Sequence, residues 1–187
     1  MFAPPPVDPL LHRIRSGDEH AFEHLFHAEH AGLCSFADRM LSSPHLAEEV
    51  VQSVFLRLWT SRRTLPALGS VRAYLYKATR NAALDHLKHA ALEDQWAAAT
   101  AAEGDQAGSE PEVEALATER ERSDALFRAI ELLSPRARQA VVLRWLRGMT
   151  YPEVADALGI SVKGVEIHVT RALRALRGSL GIPRPPD

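Results

Sequence analysis

Apolar residues along this chain recur at spacings of three and four rather than two, the period of amphipathic helices and not of strands. From Ser16-Gly17-Asp18 onward, Ala21, Phe22, Leu25 and Phe26 share one face, followed by Leu33, Phe36, Ala37 and Met40. Ser42-Ser43-Pro44 breaks that helix and can cap the next, from about His45 to Trp59, with Leu46, Val50, Val54 and Leu58 predicted inside. The segment Leu65–Ser70 contains Pro66 and Gly69 and reads as a loop. A further helix is predicted from about Val71 to His89, with Tyr74, Leu75, Ala78, Ala82, Leu84 and Leu87 as packing positions. Residues 90–112 lose the apolar face and become Ala-rich and acidic, the composition of a flexible linker. Periodicity returns near Val113 and runs through Leu126, Ile130 and Leu133. Ser134-Pro135, an N-cap followed by proline at the first helical position, starts a helix predicted over Arg136–Arg147 and ended by Gly148.

The last helical stretch, Thr150–Arg177, reads as a helix-turn-helix. Thr150 and Glu153 have capping-box spacing, and Pro152 falls in the first turn, where a missing N–H costs little. Val154, Ala155 and Leu158 form the apolar face, and Gly159 is placed to end the helix in a left-handed conformation. Ile160 plugs the turn, and Ser161 caps the second helix. In that helix Val165, Val169, Ala172 and Leu176 face inward, leaving Lys163, Glu166, Ile167, Thr170, Arg171 and Arg174 outside. A second helix with a row of outward cations can enter a DNA major groove. An ordinary helical hairpin with a solvated charged face is the plainer reading of the same pattern.

Charge changes the picture. The net charge of −2 hides a strong segregation: residues 60–90 carry +5, residues 91–124 carry −8, and residues 134–187 carry +5. Two basic blocks separated by an acidic one suggest two nucleic-acid-facing surfaces on a tether. Strand signals are scarce, so the predicted fold class is all-α. The predicted division is a disordered N-terminus (1–9), one helical domain (10–90), an acidic flexible linker (91–112), a second helical domain (113–180) and a tail (181–187). No apolar run reaches the length of a membrane span, and the start lacks the layout of a signal peptide. With Cys34 the single cysteine, the expectation is a cytoplasmic protein without membrane insertion.

The first domain carries GDEHAFEHLF, AEEVVQSVFLRLW at 47–59 and VRAYLYKATRNAALDHLKH at 71–89, and these blocks resemble region 2 of bacterial RNA polymerase sigma factors. The segment 133–177 resembles region 4. Two such regions joined by a short acidic linker is the layout of the extracytoplasmic-function (ECF) group. The resemblance implies two partners, core RNA polymerase and promoter DNA, and leaves open whether an anti-sigma factor restrains the chain. It implies that Glu48, Glu49, Gln52, Ser53, Leu56 and Arg57 dock on the clamp of the largest polymerase subunit, with region 4 reaching the flap. The minus-ten element would be met by Arg62, Arg63, Ser70, Arg72, Tyr74, Lys77, Arg80 and Asn81. The loop Leu65–Ser70 would form a pocket for an unstacked base. Phosphate neutralisation, aromatic stacking surfaces and base-reading amides are what strand opening requires, and Tyr76 lies in the same block. The minus-thirty-five element would be met by Ser161, Lys163, Glu166, Ile167, Thr170, Arg171 and Arg174.

His20, His24 and His27 recur at i, i+4 and i+7, a spacing that can bind metal, although an exposed polar face accounts for it equally. No phosphate-cradling loop or nucleophile motif is present, so neither a cofactor nor an enzymatic activity is expected. The competing function is an autonomous helix-turn-helix regulator. The second basic block, at 62–88, favours the sigma reading, because a simple dimeric repressor has no need of it.

Overall fold

The computed structural model describes residues 8–66, 68–98 and 128–179. Its helices are α1 (Pro9–Arg15), α2 (Glu19–Leu41), α3 (Pro44–Thr60), α4 (Val71–Ala98), α5 (Pro135–Val141), α6 (Tyr151–Leu158) and α7 (Val162–Ser179). A π-helical turn, Val142–Leu146, continues α5 directly, and residues 128–131 are also helical. No strand occurs among the described residues.

The starts of the helices follow from local chemistry. Asp18 accepts from the Ala21 amide at 3.0 Å to cap α2, and Ser43 accepts from Leu46 N at 3.4 Å to cap α3, with Pro44 in its first turn. Between them Ser42 turns the chain at φ 51°, a left-handed conformation uncommon for a residue with a Cβ. Asp8 has a double role. Its Oδ1 accepts from Leu10 N at 2.9 Å, capping α1, while its Oδ2 accepts from Val71 N at 2.8 Å at the start of α4. The Asp8 amide in turn donates to the Leu68 carbonyl at 3.0 Å, tying the loop before α4 to the same point.

Helix α1 lies across the predicted boundary of the disordered terminus. Leu11 and Ile14 are completely buried, so the seven residues are held by packing rather than by propensity, which is marginal at this length. Helix α4 also exceeds its predicted end at His89 and runs to Ala98, into the stretch read as linker. The rest of the predicted linker and the periodic stretch Val113–Leu126 lie outside the described residues.

The principal core unites both halves of the chain. Leu25, Leu33, Phe36, Val51, Val54, Leu58, Leu75 and Tyr76 belong to one buried cluster with Ala140, Leu143, Met149, Val154, Leu158 and Val165. A smaller cluster within the second half joins Ile130, Leu133, Val141, Ala172 and Leu176. Helix α4 packs on α2 and α3 and also lies along α6, so the two predicted units on a tether are in contact. This double covering explains where the predicted packing face of α4 was misplaced. Val71, Ala73, Leu75, Tyr76, Thr79 and Ala83 are the buried positions, whereas Leu87 is 40% exposed and Leu84 half-buried. On α3, Leu46 was expected inside but stands at the exposed start of the helix.

Gly32 sits at the tightest approach. A Cβ there would lie 2.8 Å from the Tyr76 hydroxyl and 3.0 Å from the Arg147 guanidinium carbon, so α2 can receive both only because it carries glycine in mid-helix.

Replacing Asp8 with Ala should lower stability by about 1–2 kcal/mol, the upper part of the range for a lost helix cap, because two helix starts lose the same acceptor. The urea unfolding midpoint checks it; an unchanged midpoint would show that solvent replaces both contacts.

Candidate nucleic-acid interface

The helix-turn-helix is built from the local signals in its sequence. Thr150 Oγ1 accepts from Glu153 N at 3.4 Å, and Glu153 Oε2 accepts from Thr150 N at 2.9 Å, completing the capping box. At the other end of α6, Gly159 adopts φ 62°. The Ile160 amide donates to the Ala155 carbonyl at 3.0 Å and the Gly159 amide to Asp156 at 3.3 Å, the paired bonds of a Schellman motif. Ser161 Oγ then accepts from Gly164 N at 3.0 Å and starts α7.

Val165, Val169, Ala172 and Leu176 are all buried, so the outward face is set as the periodicity predicts. Lys163, Thr170, Arg171 and Arg174 are exposed, Ile167 is 42% exposed, and Glu166 is half-buried with Lys163 Nζ 3.0 Å from its Oε2. A Cβ on Gly164 would meet nothing closer than 3.4 Å, so the fold itself does not demand glycine on this face.

The second candidate surface centres on α4, whose two flanks differ. Tyr74, Lys77 and Asn81 line a groove of about 600 Å³, closed on its far side by Ser53 and Arg57 of α3 and by Pro66 and Leu68 of the preceding loop. Lys77 and Asn81 are exposed and Tyr74 half-buried, giving the groove a cation, an amide and an aromatic ring. Tyr76, by contrast, is wholly buried with its ring edge-on to Phe36 at 5.3 Å. Burial pushes its hydroxyl up to about 12, so it is a core residue and no stacking platform. Leu65 turns into the core, leaving only part of the predicted base-pocket loop at the surface.

The other flank of α4 is occupied. Ser70 Oγ donates to Glu153 Oε1 at 2.9 Å and accepts from Ala73 N at 3.2 Å. Arg72 Nε lies 3.0 Å from Glu29 Oε1, a pair whose side chains are only 32% and 12% exposed. Arg147 completes the cluster by donating from Nη2 to the Gly32 carbonyl at 3.3 Å. Burial dominates at Glu29 and raises its carboxyl above the usual range despite the facing charges of Arg72 and Arg147. Burial acts the same way on Glu153, but the hydrogen bonds from Thr150 and Ser70 and the Arg72 charge outweigh it, leaving that carboxyl below its ordinary value. Arg80 is half-buried, and desolvation together with the nearby Arg136 charge lowers its pKa. Sequence reasoning placed Ser70, Arg72 and Arg80 on an open DNA face and had no means of seeing Glu29, Arg147 or Glu153 across from them.

Of the remaining cations, Arg63 is exposed, while Arg62 lies over the Trp59 ring at 4.0 Å and donates to the Trp59 carbonyl at 2.6 Å. Trp59 also packs against Phe22, 4.8 Å between centroids. On α3, Glu48, Glu49, Gln52, Ser53, Leu56 and Arg57 are all exposed, Leu56 at 64%, a continuous polar face around one large apolar side chain. The histidines behave differently from a metal site. His27 Nε2 is 3.8 Å from Glu23, His30 lies against Phe26 at 4.6 Å, and His20 and His24 point to solvent. Among the described residues no three His, Cys, Asp or Glu side chains are grouped to hold a metal. None of the described helices is long and apolar enough to cross a membrane.

A helix-turn-helix beside a second, helical nucleic-acid surface defines a two-part promoter-recognition protein, and comparison with known proteins gives the same class. Residues 25–92 match the family model of Sigma-70 region 2, and residues 123–176 match that of Sigma-70 region 4. The ferric citrate uptake sigma factor FecI of Escherichia coli K12 is 30% identical over 152 residues, covering 81% of this chain and 86% of that protein. The RNA polymerase sigma factor CarQ of Myxococcus xanthus is 30% identical over 178 residues, covering 91% and 95%. The ECF sigma factor SigK of Mycobacterium sp. strain KMS is 25% identical, covering 94% and 91%. Two solved structures share the fold. CnrH in complex with the cytosolic domain of CnrY has TM-score 0.62 at 23% identity, covering 94% of this chain and 97% of that one. RpoE with the anti-sigma factor NepR from Bartonella quintana has TM-score 0.63 at 21% identity, covering 87% and 98%. The chain belongs to the extracytoplasmic-function group of RNA polymerase sigma factors. As such it associates with core RNA polymerase inside the cell and directs transcription initiation at promoters; the autonomous-regulator reading is not favoured.

Arg171→Ala should weaken recognition of the upstream promoter element by about 1–3 kcal/mol, the value of one bidentate arginine–base contact. Competition binding of the variant holoenzyme on promoter fragments measures it, and unchanged discrimination would remove Arg171 from the contact list.

Proposed function

We propose a division of labour among the three exposed surfaces. Helix α3, through Glu48, Glu49, Gln52, Ser53, Leu56 and Arg57, docks on the polymerase clamp, a helix-on-helix contact with Leu56 as its apolar anchor. The second domain seats on the flap, which holds α7 over the minus-thirty-five element, where Ser161, Lys163, Glu166, Ile167, Thr170, Arg171 and Arg174 face the major groove. Glu166 there suits a cytosine N4 donor more than a phosphate. The groove lined by Tyr74, Lys77 and Asn81 receives an unstacked base of the minus-ten element, and Arg62, Arg63, Ser70, Arg72 and Arg80 line the phosphate path around it. That groove is the observation carrying the proposal, because it sets an amide, a ring and a cation within one concave site.

The chain has no catalytic role in this scheme and acts in the cytoplasm; bond formation belongs to the polymerase. Its boundaries follow the two matched regions, with domains near residues 10–90 and 113–180 joined by an acidic linker. An anti-sigma partner is consistent with the structural relative solved with NepR.

Run-off transcription on genomic DNA with core polymerase tests the central reading. Core enzyme should confer promoter selectivity that the isolated chain lacks, since it fixes the spacing of two individually weak contacts. Tight sequence-specific binding by the free chain, with no gain from core enzyme, would refute it.

Asn81→Ala should impair strand opening more than initial binding. A gel shift paired with permanganate footprinting separates the two steps, and equal loss in both would place Asn81 outside the base pocket.

A further inference from the structure

We propose that the contact of α6 and the π-helical turn with α2 and α4 is a reversible latch. It keeps the free chain capable of binding polymerase while withholding part of its melted-strand site. The proposal rests on the assignment of α4 as the minus-ten reader.

Four charged side chains meet at the contact, one of each sign from each half of the chain. Glu29 and Arg72 come from α2 and α4, and Arg147 and Glu153 from the π-turn side and α6. Glu153 takes the Ser70 hydroxyl at 2.9 Å, and Arg147 takes the Gly32 carbonyl at 3.3 Å, so each half contributes a group that the other satisfies. A strand phosphate approaching Ser70 and Arg72 would meet two carboxylates already in place. Arg80 is held beside Arg136, two cations that repel each other in the closed form.

What the contact leaves open is as informative. The docking face of α3 is exposed, as are the four outermost DNA-facing residues of α7, Lys163, Thr170, Arg171 and Arg174. Polymerase capture therefore needs no prior opening, whereas full access to the α4 flank does. The latch is also suited to release. Paired charges at a partly buried contact roughly break even against solvation, so modest competing contacts can separate them. Polymerase, by fixing the two halves at promoter spacing, binds the open form better and shifts the population toward it.

The test is a spin-label distance across the contact, with labels at Glu23→Cys and Arg177→Cys in a Cys34→Ser background, on the full chain. The free parent should give one narrow distribution. Arg147→Ala and Glu153→Gln should each broaden and lengthen it; the Gln retains the capping-box geometry, and circular dichroism confirms that both variants fold. Addition of core polymerase should lengthen the distance in the parent. A broad distribution in the free parent, no response to either variant, or no response to core polymerase would each overturn the latch. In a second arm, the free variants should bind single-stranded DNA from a promoter active in the run-off assay about tenfold more tightly than the parent, as when a one-in-ten open population approaches unity. Lengthened distances with equal strand affinity would overturn the masking of the site. The distance arm uses no promoter, so failure of the promoter-recognition reading is distinguishable from failure of the latch.

Discussion

The burial of α4 from two sides governs much of this structure. A helix covered by α2 and α3 alone would carry a single apolar stripe and leave the rest of its surface to solvent. Covering by α6 as well draws Tyr76, Thr79 and Ala83 inside and pushes the polar residues into two separate sets. One set, Tyr74, Lys77 and Asn81, faces a groove, and the other, Ser70, Arg72 and Arg80, meets charged groups of neighbouring helices. The same packing fixes where the helix starts, because its first amide is held by Asp8 from the beginning of the ordered chain.

Local signals carried the second half of the chain almost unaided. The capping box, the glycine at the end of α6 and the inward positions of α7 are all short-range features, and each is where its sequence pattern places it. The first half was legible in its long helices and less so where tertiary contacts decide. Helix α1 is short and begins among prolines, yet Asp8-Pro9 is itself a readable cap followed by a first-turn proline. What could not be read was Leu11 and Ile14, whose burial supplies the stability the helix lacks alone. Tyr76 looked like an aromatic for DNA because composition cannot tell which side of a helix is covered twice. The polar cluster of Glu29, Arg72, Arg147 and Glu153 joins residues far apart in sequence and had no local signature.

The candidate surfaces differ in how firmly the fold builds them. The outer face of α7 stands on a buried stripe, and its residues need only project. The polymerase face of α3 is similar, with Ser53 and Gln52 satisfied along their own helix while Leu56 remains free for a partner. The α4 site is composite, since it takes residues from α3, α4 and the loop between them. Its shape therefore depends on the loop being tied down at Leu68 and on the helix start being fixed.

The π-helical turn Val142–Leu146 bears on evolution and on engineering alike. A π-turn carries one residue more than the α-helical turn it replaces, and each residue of an α-helix advances the chain by about 100°. Everything after it, including Arg147 and the whole helix-turn-helix, inherits that phase. Deleting a single residue from the turn would restore regular α-helix and swing the DNA-reading helix about the axis of α5 by roughly that angle. The angular setting between the two promoter-reading surfaces is thus stored as one inserted residue. A length change of one at this point would have far greater geometric consequence than most substitutions on either surface.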